Sequence, residues 1–242
     1  MPIVQADLHT HTIVSGHAYS TIQEMAAEAA RRGLRILGIT EHAPSIPGTC
    51  GKIYFTNMHV VPREMYGIRL MLGCEINILD TDGRIDLDDA TIARLDITIA
   101  GIHDICWRGG TVDENTAGMI RVMENPKIQM ISHPADGTAT LHLEELVKAS
   151  RRTGTILGIN NHSLSPNRTK RILAEPNSLE LLRLCKRYEV PVVLGSDAHI
   201  SFQIADYDRI RPLLQATEFP DDLILNYDAD QLIATLKPLK GN

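Results

Sequence analysis

Cysteine chemistry is the first thing the sequence does without. Its four cysteines, Cys50, Cys74, Cys106 and Cys185, form no CxxC pair and no regular framework. That excludes a disulfide scaffold, and it excludes a zinc finger, whose histidines come with cysteine pairs. The thiols fit the reduced state of a cytoplasm. No apolar run approaches the roughly 20 residues that span a bilayer, so no membrane segment is expected. The N-terminus lacks the basic start and apolar stretch of a signal peptide. Basic charge is short as well: 24 Lys+Arg stand against 30 Asp+Glu, a net charge of −6. A surface for nucleic acid or an anionic membrane is therefore not expected. A small anionic substrate would have to be drawn by a local positive site. No low-complexity tract, charge block or Gly/Ser linker marks a boundary. The 242 residues are expected to form one domain over 1–242, a size that α/β barrels reach undivided.

At 43% hydrophobic residues the chain has enough apolar material for a sizeable core, and its pattern shows how that core is built. Short apolar runs alternate with helical stretches. Strands are expected at 3–11, 34–42, 68–79, 96–103, 128–134, 155–162 and 190–199. Between them lie helical patterns such as 20–33, where Thr21 and Glu24 make a capping box and Gly33 a stop. Others cover 86–95, 111–125, 141–154 and 177–189, and the tail at 204–217 and 228–236 reads as helical. Residues 43–67 form a long irregular stretch. Seven strands alternating with helices, most of them continuously apolar, predict a parallel α/β sheet covered by helices on its outer face. Such folds place their chemistry at the C-terminal ends of the strands.

The polar residues fall at those ends. The first strand ends in His9 and His11, the second in Glu41 and His42. The third carries Glu75 late in its run. His103 ends the fourth, His133 the fifth, and Asp197 and His199 the seventh. Only His59, in the long loop, and His142, at a helix start, lie off the pattern. Residues i and i+2 of a strand share a side, so His9 pairs with His11 and Asp197 with His199. If the last strand closes beside the first, the two pairs face each other. Each histidine taken alone is more often a hydrogen-bonded core residue. The histidines and acids gathered together at the strand ends predict a metal centre.

In order along the chain stand "DLHTH" at 7–11, "SGHA" at 15–18, "GITEH" at 38–42, "GCE" at 73–75, "GIH" at 101–103, "SHP" at 132–134 and "GSDAH" at 195–199. Together they resemble the PHP (polymerase and histidinol phosphatase) family, in its stand-alone YcdX-like phosphatase branch. The resemblance implies a distorted (β/α)7 TIM-like barrel with a trinuclear metal site. It implies that His9, His11, Glu75 and Asp197 hold one ion. Glu75 would bridge to a second, held also by His103 and His133. His17, His42 and His199 would hold the third. No ligand position is missing. His17 follows Gly16, which lets the chain turn back toward another ion than the one His9 and His11 serve.

Neutral imidazoles with two carboxylates suit Zn²⁺, with Mn or Fe as alternatives, and do not suit Ca²⁺ or Mg²⁺. Three divalent ions against two carboxylates leave a surplus of about four positive charges by simple counting, which a phosphate group neutralises better than a neutral ester does. The expected reaction is hydrolysis of a small-molecule phosphate monoester by a metal-bound hydroxide. No serine, cysteine or aspartyl nucleophile is signposted, and no other catalytic group is assigned. Tyr54 and His59 in the 43–67 loop, and Arg168 further on, are candidate substrate contacts, with plain packing or solvation as the alternative. Asp136 has the same ambiguity. Asn160, Asn161 and Glu41 are read as orienting groups, and His162 matches no ligand of the family pattern. The rival readings are a histidinol-phosphate phosphatase, a nuclease or phosphodiesterase acting on nucleic-acid ends, an amidohydrolase-type enzyme, and a metal- or ligand-sensing module without turnover. The acidic chain argues against long polymers. A homo-oligomer is left open.

Overall fold

The computed structural model describes residues 2–166 and 172–239. Its strands are β1 (Ala6–Asp7), β2 (Ile36–His42), β3 (Glu64–Met65), β4 (Ile68–Asn77), β5 (Ile97–Gly101), β6 (Met130–Ile131), β7 (Ile156–Asn160) and β8 (Val192–Gly195). Seven of them run parallel in the order β1-β2-β4-β5-β6-β7-β8. The extra strand, β3, is a short antiparallel partner of β4. The helices are α1 (Ile22–Arg31), α2 (Lys52–Asn57), α3 (Asp89–Ile92), α4 (Val112–Glu124), α5 (Leu143–Thr153), α6 (Ala174–Tyr188), α7 (Arg211–Thr217) and α8 (Ala229–Thr235). The expected parallel α/β barrel is what forms.

Closure comes from backbone just beyond β1 and β8. Thr10 and Ala198 make a parallel bridge. Asp197 N donates to His9 O and His11 N to Ala198 O, both at 2.9 Å. Regular pairing in β1 stops at Asp7, short of the expected residue 11, because threonine side chains enter the ladder. Thr10 Oγ1 donates to Gly38 O at 2.7 Å, and Thr10 N donates to Thr40 Oγ1 at 3.3 Å. The last strand stops at Gly195, not residue 199. Asp197 takes a left-handed φ of +55°, so Asp197 and His199 sit on a turn and are not a strand pair as expected.

Close packing of the strands shows at Gly73, where a Cβ would stand 2.1 Å from the Ile97 carbonyl oxygen. The capping box of α1 is present, with Thr21 and Glu24 satisfying each other's backbone N–H groups, and Gly33 is left-handed after the helix. The region 43–67 is less irregular than expected. It forms α2, a 3-10 turn at 58–60 and β3, and buries Phe55 and Met58 against the wall. Within 204–217 the α-helix begins only at Arg211, and Pro212 stands in its first turn, where a missing N–H costs nothing.

Two apolar layers result. One lies between the sheet and its outer helices. The other fills the barrel, with Ala6, Ile36, Met71, Ile97, Met130 and Ile156 from the strands meeting Leu225, Ala229 and Leu232 of the tail. Those strand residues come from the N-terminal ends, so the tail plugs that mouth. Asn226, fully buried, clips the seam. Its amide donates to Ala6 O at 2.9 Å and Leu194 O at 2.8 Å, and its oxygen accepts from Leu194 N at 2.7 Å. The other mouth is left to polar residues. Among the described residues no helix is long and apolar enough to cross a membrane.

Candidate metal centre

Each polar strand end delivers its side chain to the C-terminal mouth. Glu75, late in β4, is fully buried and stands in register with His42, the last residue of β2. His9 and His11 follow β1, His103 and His133 lie two residues past β5 and β6, and Asp197 and His199 follow β8. His17 comes after Gly16, whose φ is +83°; a Cβ there would stand 2.3 Å from Gly48 O, so the turn requires glycine. His17 then meets His42 and His199, with ring centroids 4.9 and 4.8 Å away.

Distances sort the donors. His9 Nε2 lies 3.4 Å from Glu75 Oε1 and 3.6 Å from Asp197 Oδ1. His11 Nε2 lies 3.5 Å from Glu75 Oε2 and 3.3 Å from Asp197 Oδ1. His103 Nε2 and His133 Nε2 stand 3.5 and 3.1 Å from Glu75 Oε1 and 3.3 Å from each other. His42 Nδ1 is 2.9 Å from Glu75 Oε2. Two donors bound to one zinc at about 2.0–2.1 Å in a tetrahedron lie roughly 3.3–3.4 Å apart. The observed spacings cluster round that edge length.

The buried atoms themselves test whether metal fits. His9 Nε2, His11 Nε2, His42 Nδ1 and both Glu75 oxygens are buried and lack a hydrogen-bond partner. Buried polar atoms are nearly always paired, and these approach one another without hydrogen-bond geometry, as atoms directed at a common point do. Three triads have ligand atoms close enough to share an ion: His9, His11 and Glu75; His42, Glu75 and His103; His11, His42 and His199. His42 thus reaches Glu75 and His103 as well as the third group that the resemblance implies for it. The donors fit divalent transition metal.

The electrostatics agree with two ionised carboxylates. Burial opposes the charge on Glu75, yet His9, His103 and His42 outweigh it and hold its carboxyl well below the usual range. Asp197 is likewise held low against burial, by His9 and a hydrogen bond from His11. Burial, then the neighbouring His42, depresses His11 strongly, and burial depresses His103. Burial also opposes protonation of His133, but Asp136 and Glu75 lift it to about 10.

Supporting contacts tie the rings in place. His133 Nδ1 is 3.1 Å from Asp136 Oδ2, and Asp136 also accepts from Thr138 N and Oγ1 at 2.7 and 2.8 Å. This places Asp136 against a candidate ligand. The buried Glu41 accepts from Thr12 Oγ1 at 2.5 Å and from Ser15 Oγ at 2.6 Å. Ser15 Oγ in turn lies 3.3 Å from His11 Nδ1 and accepts from His42 N at 3.0 Å. Ser15 was not singled out from sequence; its place inside "SGH" is the one signal that points to it. Asn160 donates to Asp197 Oδ2 at 3.0 Å, in keeping with an orienting role, whereas Asn161 Oδ1 accepts from Arg209 N, away from the donors. The ring of His162 stacks on His199 at 5.5 Å.

Seven of the donors, His17, His42, Glu75, His103, His133, Asp197 and His199, line a cleft of about 300 Å³, together with Ile46, Pro47, Asp104 and Ile105. Neither Tyr54 nor His59 lines it. Tyr54 packs behind the centre, its hydroxyl buried near Thr12 and Glu41, and burial, then the nearby Glu41 carboxylate, push that hydroxyl's pKa up. His59 is exposed, its Nδ1 3.1 Å from Thr56 O within its own turn. The structure therefore places these two expected substrate contacts outside the cleft, Tyr54 in packing and His59 at the surface. Arg168 lies outside the described residues.

A parallel barrel with an imidazole-rich centre at its C-terminal mouth defines the class. The PHP domain matches residues 7–236, and the chain belongs to that family. A probable phosphatase of Clostridium novyi is 41% identical over 231 residues, covering 96% of this chain and 93% of that protein. A probable phosphatase of Caldicellulosiruptor saccharolyticus is 40% identical over 234 residues, covering 97% and 96%. Among solved structures, the histidinol phosphate phosphatase of Lactococcus lactis, complexed with zinc, L-histidinol and phosphate, superposes with a TM-score of 0.59 at 20% identity, covering 89% of this chain and 94% of that one. That likeness is one of fold.

Proposed function

We propose that this protein is a metal-dependent phosphatase that hydrolyses small-molecule phosphate monoesters at the C-terminal mouth of its barrel. One observation carries the reading: a set of buried donors at zinc-ligand spacing, unpaired with one another, opens onto a small cleft. The relatives named probable phosphatases support the reaction class, and the zinc in the Lactococcus structure supports the choice of metal. The proposed ligands are His9, His11, His17, His42, Glu75, His103, His133, Asp197 and His199, holding three ions, zinc first among transition metals.

Divalent ions held by these residues would supply Lewis acidity, the chemistry that activates water and neutralises phosphoryl oxygens. The chain's own residues set the geometry for this. Glu75 turns one oxygen toward His103 and His133 and the other toward His11 and His42, which suits a bridging carboxylate. Asp136 fixes the ring of His133 through Nδ1, leaving Nε2 to face Glu75. Ser15, backed by Glu41, does the same for His11. Ile46, Pro47 and Ile105 narrow the entrance. No Ser, Thr or Cys lines the described cleft, so water is assigned as the group that displaces the alcohol. Metal analysis of protein purified without chelator, with a monoester screen on the same sample, tests the reading. Close to three equivalents and turnover of small monoesters are expected. A single equivalent not raised by added metal overturns the trinuclear assignment, and no monoester turnover at full loading overturns the phosphatase.

A further inference from the structure

The cleft wall beyond the candidate ligands is short and chemically plain. Ile46 and Pro47 come from the segment after β2, and Asp104 and Ile105 from the turn after β5. No lysine or arginine lines the cleft among the described residues. Ile105 is 62% exposed, and Asp104 is exposed beside it. Asp104 makes no ion pair or hydrogen bond among the described residues, while the neighbouring acids are all engaged: Asp136 holds His133, and Asp197 meets His9 and His11. Asp104 also belongs to none of the triads whose atoms are close enough to share an ion.

A phosphoryl group seated on the centre must direct its ester oxygen, and the alcohol behind it, outward past this wall. Apolar side chains then meet the carbon skeleton, and among the described lining residues the one charge met beyond the candidate ligands is the Asp104 carboxylate. Like charges disfavour association and opposite charges favour it, by about tenfold for a pair several ångströms apart at the edge of a protein. The field of the ions attracts any anion, so an anionic leaving group would bind well without a counterweight. Asp104 is placed to be that counterweight.

Building on the phosphatase reading, we infer that Asp104 sets the charge preference of the site for the leaving group. The substrate class is a phosphate monoester of a compact alcohol that is neutral or carries an amine. Monoesters whose leaving group bears a carboxylate or a second phosphate are rejected. The Asp104 carboxylate touches no reacting atom; it is a specificity residue.

Three short-chain monoesters differing in terminal charge test this on the metal-loaded protein: 2-aminoethyl phosphate, propyl phosphate and 2-carboxyethyl phosphate. The matching phosphonates, which cannot be hydrolysed at the P–C bond by this chemistry, are titrated calorimetrically in parallel. Both series are expected to follow amine, neutral, carboxylate in falling order of kcat/KM and of affinity. In Asp104→Asn the amine-to-carboxylate ratio should fall at least about tenfold, and Asp104→Lys should reverse it. Added salt should shrink the wild-type ratio and leave that of Asp104→Asn nearly flat. An unchanged ratio in both variants overturns the inference. So does a loss of metal from Asp104→Asn, which would make the residue a ligand. Absence of turnover in all three monoesters would instead count against the phosphatase, and the phosphonate titrations would still read the effect of Asp104.

Discussion

At the N-terminal mouth of the barrel, Asn226 meets its polar demands within the chain. It exchanges three hydrogen bonds of 2.7–2.9 Å with Ala6 and Leu194, amid the apolar plug of Leu225, Ala229 and Leu232. At the C-terminal mouth, His9, His11, His42 and Glu75 are just as buried, and their inward-facing atoms have no partner. A buried polar group without a partner costs about 1–3 kcal/mol. One end of the molecule therefore spends its polar groups on stability. The other keeps them for something the chain does not itself contain. The same strands carry both ends, which is how a parallel barrel separates folding from chemistry.

The sharpest way to break this comparison is at Glu75. Glu75→Gln keeps the shape but loses the charge and one acceptor, so it should lose metal from two of the three groups. An activity loss of about a thousandfold is expected, the several kcal/mol that Lewis-acid stabilisation supplies. Metal content and kcat read it; full occupancy with full activity would remove the bridge assignment. At the opposite mouth, Asn226→Ala strands the carbonyls of Ala6 and Leu194 and the N–H of Leu194. A stability loss of about 2–4 kcal/mol is expected from urea unfolding, with metal affinity of the folded protein changed less than about twofold. A matching fall in metal affinity would show that the two mouths are coupled.

The sequence announces the two ends unequally. Histidines at the ends of apolar runs are a local signal, repeated from strand to strand, and the structure gathers all seven expected ones at one mouth. The parallel sheet follows from the alternation of apolar runs with helices, whereas the meeting of the first and last strands was implied by the family resemblance and not by the alternation. Asn226 could not be found this way, because its partners are more than 30 and 200 residues distant and no period links them. The left-handed turn at Asp197 was hidden for a related reason: an i, i+2 spacing reads as a strand until one knows which backbone groups pair across the seam. Tyr54 shows the opposite case. A tyrosine in a long loop looks available to substrate, yet α2 and its buried Phe55 carry it behind the centre.

A smaller effect separates holding a ligand from being one. Ser15 links the Glu41 carboxylate to His11 Nδ1 and to His42 N. Ser15→Ala leaves the coordinating atoms in place but removes what orients two of the rings. Loss of such outer contacts typically weakens metal binding 10- to 100-fold. Competition against a chromophoric chelator should show that loss, with unfolding in the metal-free state nearly unchanged. A large loss of metal-free stability with unaltered affinity would move Ser15 to the stabilising side of the comparison.

The smallest expected effect concerns His17 in protein stripped of metal. Partial burial, then the nearby His42 and His199, bring its folded value down from 6.5 to about 4. In the unfolded chain the ring takes up its proton near 6.5. Between those two values the unfolded state binds more protons, so the stability contribution is whole above about 6.5 and is lost as pH falls toward 4. The ring stands at an open mouth, where solvent screens the charges that face it, so the slope is modest. Urea midpoints of the metal-free protein, measured from pH 7 to pH 4, should therefore fall less steeply in His17→Ala than in the parent. Identical slopes would mean that the ring stays free to protonate, and that the three imidazoles at the mouth do not repel one another until metal draws them together.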